Sequence, residues 1–275
     1  MNIVRCQDAA GAVIGTYTTP GYLSANRVDR RYQRVNELGN HGKMWYDALV
    51  VQVRQRATKY LQGTLAYTWA HTIDENLGGA SNNLFFSGGP GTVFNGDFRG
   101  EKGSSSLDQR HRLVIGHFAN LRFKNDPNAF FRYVVNNWQL SALLTFASSQ
   151  NTTPTVTVSG TQFAGAAFTS TLNGSGGSNR VPFLPRGALD IDTIARVDAR
   201  LTKLLPLGER RRLHLVFEGF NVFNNVSDTA KRNQLYRAQA GILRPLPDYG
   251  TGSASAGFPD GTNARRLQVS ARFFF

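Results

Sequence analysis

Five histidines (His41, His71, His111, His117 and His214) and one cysteine, Cys6, are the residues of this 275-residue chain best suited to hold a metal or act as a nucleophile. Their spacing supports neither role. His111 and His117 share one face of a strand, but six residues at ~3.3 Å each put them roughly 20 Å apart. A lone cysteine excludes an internal disulfide framework and a cysteine-based zinc site. No HExxH, P-loop, dinucleotide fingerprint or GxSxG elbow occurs, and the GGPG of Gly88 to Gly91 reads as a loop and not a phosphate cradle. Asp74 and Glu75 form a carboxylate pair, but they open a long polar link and read as solvated. The expectation is therefore no enzyme, no catalytic residue, no metal and no cofactor.

The net charge of +13 invites a nucleic-acid partner. The basic residues do not gather on one element, and the dense run Arg210, Arg211 and Arg212 sits in a short turn, so nucleic acid is not expected. A different arrangement stands out. Arg54, Arg56, Arg112, Arg122, Arg196, Arg200 and Arg272 each alternate with apolar neighbours, the pattern of strands with one greasy and one wet face.

Those strands position everything else. Trp45 to Ala57, Leu61 to His71, His111 to Phe123, Trp138 to Ser148, Thr193 to Leu204 and Leu213 to Phe223 all show period two. The closing LQVSARFFF sets Leu267, Val269, Ala271, Phe273 and Phe275 against Gln268, Ser270, Arg272 and Phe274. Such segments match the ~9–11 residues that a tilted membrane strand requires. Short links (Thr58 to Tyr60, Lys124 to Asn137, Leu205 to Arg212) alternate with long ones (Thr72 to Arg110, Ser149 to Asp192, Asn224 to Arg265). In an up-and-down barrel this sends every long link to one side, as in outer-membrane barrels with short periplasmic turns and long extracellular loops. Trp45, Tyr46, Tyr67 and Trp69 then mark the upper girdle, and Tyr60, Phe123, Trp138, Phe273 and Phe275 the lower one.

No apolar run approaches the ~20 residues of a membrane helix. The mean hydropathy of −0.31 does not argue against a barrel, whose strands are half polar. Ala129 to Asn136 is expected as a turn of helix, Thr152 to Ser159 as a strand or strand extension, and Tyr32 to Leu38 and Ala12 to Tyr17 as weaker strands. The fold expected is all-β: an antiparallel up-and-down transmembrane barrel portion of about eight or nine strands, not closed on itself. Residues 1–44 form a poorly defined N-terminal stretch, and residues 45–275 carry the barrel strands and long loops. Met1 to Arg5 lead into no apolar stretch with a small-residue cleavage site, so no signal peptide is visible.

The stretches Tyr46 to Glu75, Ser106 to Phe118, Asn137 to Gln150, Arg196 to Asn225 and Arg265 to Phe275, in that order, resemble the C-terminal portion of a TonB-dependent outer-membrane receptor. The acidobacterial type with an N-terminal carboxypeptidase-regulatory-like domain is the most similar. The resemblance implies a bacterial outer-membrane location and a place in a 22-stranded barrel around a plug. It also implies that the last strand, with Leu267, Val269, Ala271, Phe273 and Phe275, is an assembly signal read by the barrel-insertion machinery. The partners expected are the lipid bilayer, that machinery, the missing plug and remaining strands, and an unidentified solute. Asn82, Asn83, Phe85, Phe86 and Tyr249 are the loop candidates for touching it. Arg54, Arg112, Arg122, Arg196, Arg200 and Arg272 are expected to face the lumen. The alternative is a soluble or surface all-β adhesion module, in which the apolar faces would be sealed against each other.

Overall fold

The computed structural model describes residues 1–33, 43–56, 58, 60–75, 99–123, 128–177, 179–208, 210–253 and 264–275. Twelve strands carry the architecture. They are β1 (Asn2–Gln7), β2 (Val13–Thr19), β3 (Met44–Gln55), β4 (Leu61–Asp74), β5 (His111–Leu121), β6 (Trp138–Ala147), β7 (Thr155–Ser159), β8 (Ile194–Pro206), β9 (Arg212–Phe220), β10 (Gln234–Gln239), β11 (Ile242–Pro245) and β12 (Arg266–Phe274). Five two-residue strands pair locally in the links.

Seven of the twelve form one antiparallel wall in the order β12-β9-β8-β6-β5-β4-β3, each beside its predecessor in the chain. Alternation produces this meander directly: neighbouring strands bury no core between them, so short turns and matched faces decide the pairing. Thr58 closes the first hairpin, its hydroxyl donating to the Leu61 carbonyl at 3.0 Å and accepting from the Leu61 amide at 3.0 Å. The wall has seven long strands where the sequence suggests about eight or nine in all. It stays open among the described residues, with β3 and β12 as its edges.

Register fixes the two faces. Leu65 pairs with Ile115, Ile115 with Leu144 and Leu144 with Val197, which makes one continuous apolar row across four strands. Among the described residues no second layer covers this face: Leu49, Phe146 and Val269 are 56%, 45% and 70% exposed. A β-sandwich would seal them, so the sandwich arrangement does not describe the wall. Lys203 is the one cation on the apolar face within the wall strands. It sits there because its ammonium reaches the short-turn end, donating to the carbonyls of Val134 (3.0 Å) and Asn136 and lying 4.8 Å over the Trp138 ring. The acceptors belong to the end of a single π-helical turn, Phe131–Val135, where the expected helix falls.

The hydrophobic core lies elsewhere. At the long-link end, β2, β1, β11, β10 and β7 form a five-stranded mixed sheet, here termed the cap, in which β1 runs parallel to β11 and β10 parallel to β7. Val4, Ala238 and Leu243 are fully buried in it, with Cys6, Val156, Leu172 and Val181 around them. The long links, expected as polar loops apart from Thr152 to Ser159, thus contribute strands to a folded layer. Residues 1–44 contribute β1 and β2 to it, and β2 answers the strand expected at Ala12 to Tyr17. Thr155–Ser159 also belongs to the cap and does not extend β6. Of the strand expected at Tyr32 to Leu38, Tyr32 and Gln33 are not extended into a ladder and residues 34–38 lie outside the described residues.

Wall and cap therefore differ in what holds them, and one pair of variants separates them. Leu243→Ala, at a site with no solvent exposure, is expected to cost about 2–5 kcal/mol of cap stability in urea unfolding. Val269→Ala on the uncovered face is expected to cost the cap less than about 0.5 kcal/mol. Equal losses would contradict the separation. Burial also raises the Cys6 thiol pKa above its ordinary value, so maleimide labelling of Cys6 should be slow until urea unfolds the cap.

Candidate functional site

The opposite face of the wall is polar and basic. Within the seven strands it carries seven arginines, Arg54, Arg112, Arg196, Arg200, Arg212, Arg266 and Arg272, and three carboxylates, Asp74, Asp198 and Glu218. The pairing places them on one side: Arg54 is opposite Thr64, Arg200 is opposite Ser141 and Glu218, and Glu218 is opposite Gln268. Arg54, Arg112, Arg196, Arg200 and Arg272 thus share the face expected of them. Arg122 lies one residue beyond β5, at the short-turn end.

The carboxylates of this face are already engaged. Arg196 Nε meets Asp198 Oδ1 at 2.8 Å, and the same oxygen accepts from the Asn221 amide at 2.8 Å. Asn221 holds φ +51°, a left-handed conformation that asparagine tolerates, and this turns the chain so that its amide points back at Asp198. Arg200 Nε meets Glu218 Oε1 at 2.6 Å across the β8–β9 ladder. Arg266 lies 5.5 Å over the Phe220 ring. Arg54, Arg112, Arg212 and Arg272 meet no carboxylate among the described residues.

The upper end of the wall is clamped to its long links by buried ion pairs. Arg186 meets Asp74 at 2.6 Å, with side chains 7% and 9% exposed, and also donates to the carbonyls of Asp74 and Glu101 at 2.7 Å each. Arg180 Nε meets Glu101 Oε2 at 2.8 Å and donates to the Gly100 carbonyl at 2.7 Å. Asp108 accepts from the Thr72 amide at 2.8 Å and lies 3.2 Å from His71 Nδ1. Asp74 is therefore a buried structural partner and not a solvated member of a pair with Glu75. Arg180, Arg186, Glu101 and Asp108 carry no sequence signal for this role, because their partners lie far away in the chain.

The other candidates scatter. Asn82, Asn83, Phe85 and Phe86 lie outside the described residues. Tyr249 is half-buried against the cap, where burial raises its hydroxyl pKa, and it joins no cluster of binding groups. Leu267, Val269, Ala271 and Phe273 line the apolar face of β12, and Phe275, just past the strand, stacks on Phe273 with ring centres 6.2 Å apart. Trp45, Tyr67 and Trp69 project from the apolar face near its upper end, and Trp138 and Phe273 near its lower end. Tyr46 departs from its expected girdle place: one residue from Trp45, it points to the polar face. Among the described residues no three metal-ligating side chains converge.

A family model described as an outer membrane beta barrel domain matches residues 4–268 of the chain. Neither the curated proteins nor the solved structures contain a match.

The clamp yields a graded expectation. Glu101→Gln leaves the Arg180 guanidinium buried without its carboxylate, which is expected to cost about 3–5 kcal/mol. Arg200→Gln breaks a half-exposed pair and should cost about 1 kcal/mol or less. Urea unfolding with amide exchange at Val181 and Leu184 compares them; equal costs would contradict the assignment of the clamp.

Proposed function

The chain belongs to the outer membrane beta barrel domain family, and on that premise we propose that it supplies wall and cap for a TonB-dependent receptor of the bacterial outer membrane. In this reading the apolar face meets lipid and the polar face lines a lumen. The cap and the long loops stand where an incoming solute first arrives. The barrel-insertion machinery reads the strand ending at Phe275. We assign the chain no enzymatic activity of its own: its work is to capture and admit a solute, with the plug and further strands as partners.

One observation carries this reading beyond a generic barrel. Among the described residues the meander has seven strands, so its edges β3 and β12 run in the same direction. Closing them on each other would force a parallel seam into an antiparallel ladder, whereas bacterial single-chain barrels have even strand numbers. Lipid offers no hydrogen bonds to an unpaired edge. Further antiparallel strands between β3 and β12 satisfy both edges, and a wide, plugged receptor barrel provides them.

Cysteines at Val51 in β3 and Val269 in β12, in a Cys6→Ser background, test this in outer membranes. The expected result is no disulfide within the chain, heat-modifiable migration on gels, and cross-links from both positions to other barrel strands. A near-quantitative internal disulfide would mean a self-closed small barrel and contradict the proposal. Full solubility as a monomer without detergent would instead favour an adhesion module.

A further inference from the structure

The charge of the wall is segregated. Its apolar face holds one acidic and one basic residue within the strands, Asp47 and Lys203, while the polar face holds seven arginines against three carboxylates. Asp74 is taken by Arg186 from a link, and Asp198 and Glu218 are taken by Arg196 and Arg200. Among the described residues Arg54, Arg112, Arg212 and Arg272 therefore meet no counter-charge within the wall. A low-dielectric wall lined by one sign of charge concentrates the opposite ion.

Within that field the described residues form a concave place. Arg54 pairs with Thr64, and Thr64 with Gly116; one row lower, Gln62 pairs with Phe118. Gly116 lacks a side chain between these two rows, and a hollow of ≈ 480 Å³ lies there, lined by Arg54, Arg56, Gln62, Thr64 and Phe118 and also by Gln55, Gly63, His117 and Ala142, positions that the register sets on the other face. The volume falls in the ordinary range for small-molecule sites, about 300–1,000 Å³. A β-carbon at position 116 would approach Thr64 Oγ1 to 3.3 Å, a tight contact that glycine avoids. Neither Arg54 nor Arg56 meets a carboxylate among the described residues. Two guanidiniums, an amide and a hydroxyl around one hollow supply the planar, charge-assisted donors that oxyanions take up.

We propose that the hollow over Gly116 binds small oxyanionic solutes, bearing phosphate or carboxylate groups, through Arg54 and Arg56 with Gln62 and Thr64 as neutral donors. This rests on the reading that the polar face lines an interior, and it gives that interior a substrate class. Phe118 adds an apolar wall on which the carbon part of such a solute can lie.

The test is isothermal titration of the detergent-folded chain with inorganic pyrophosphate. Heat-modifiable migration of each sample reports separately on the barrel. Pyrophosphate is expected to bind the wild type, and Arg54→Gln with Arg56→Gln to weaken binding about tenfold or more through the loss of two charge-assisted donors. Gly116→Val fills the hollow without changing charge and should weaken binding comparably; Gly116→Ala is the gentler version if valine disturbs the strand. Arg212→Gln with Arg272→Gln, at the short-turn end of the same face, should change affinity less than about twofold. Heat-modifiable samples that do not bind, or that respond alike to both arginine pairs, would overturn the site. The latter result would point to diffuse attraction or to an acidic plug segment as the occupant. Samples without heat-modifiable migration would overturn the barrel reading itself, and the site with it.

Discussion

Backbone amides that face lipid must find their partners in neighbouring strands, because hydrocarbon offers none. That constraint shapes the wall. Each of its strands is ladder-bonded along nearly its whole length, from Met44↔Asp74 at one side to Arg212↔Phe274 at the other. With the backbone committed to the ladder, only side chains remain to distinguish the faces, and the period of two assigns each to lipid or to the interior. Among the described residues the same constraint leaves the outer edges of β3 and β12 unsatisfied. Their common direction makes additional strands the natural completion.

The cap obeys the opposite rule. Its strands are short, its order is mixed parallel and antiparallel, and its stability comes from a sealed apolar core around Val4 and Leu243. The buried ion pair Arg186–Asp74 ties one long link to the upper end of the wall, and Arg180–Glu101 ties that link to another. Such pairs contribute little net stability but are costly to break, so they fix position more than they add strength. On the proposed reading, the consequence for function is a folded layer at the mouth of a basic interior.

The wall is legible from sequence because its defining signal is local. Trp138 opens its strand where alternation puts it, and the hairpin at Thr58 falls between two segments whose faces match. The arginines are legible with it, since their side is set by the same alternation. Of the cap only β2 and β7 are legible as strands, because β1 pairs with β11 across most of the chain and neither is long enough to show a period. Asp74 reads wrongly as solvated for a related reason: its partner Arg186 sits 112 residues away, and nothing around Asp74 announces burial. Tyr46 shows the limit of judging aromatics by position along a strand, since a single residue decides the face.

The central claim is that Leu144 and its row face hydrocarbon while Thr145 and its row face an aqueous interior. Single cysteines at these adjacent positions, in a Cys6→Ser background and carrying an environment-sensitive fluorophore, test it after insertion into phospholipid vesicles. The account predicts quenching by spin-labelled acyl chains at position 144 and by aqueous iodide at position 145. Iodide quenching at both positions, with none from the acyl chains, would contradict it.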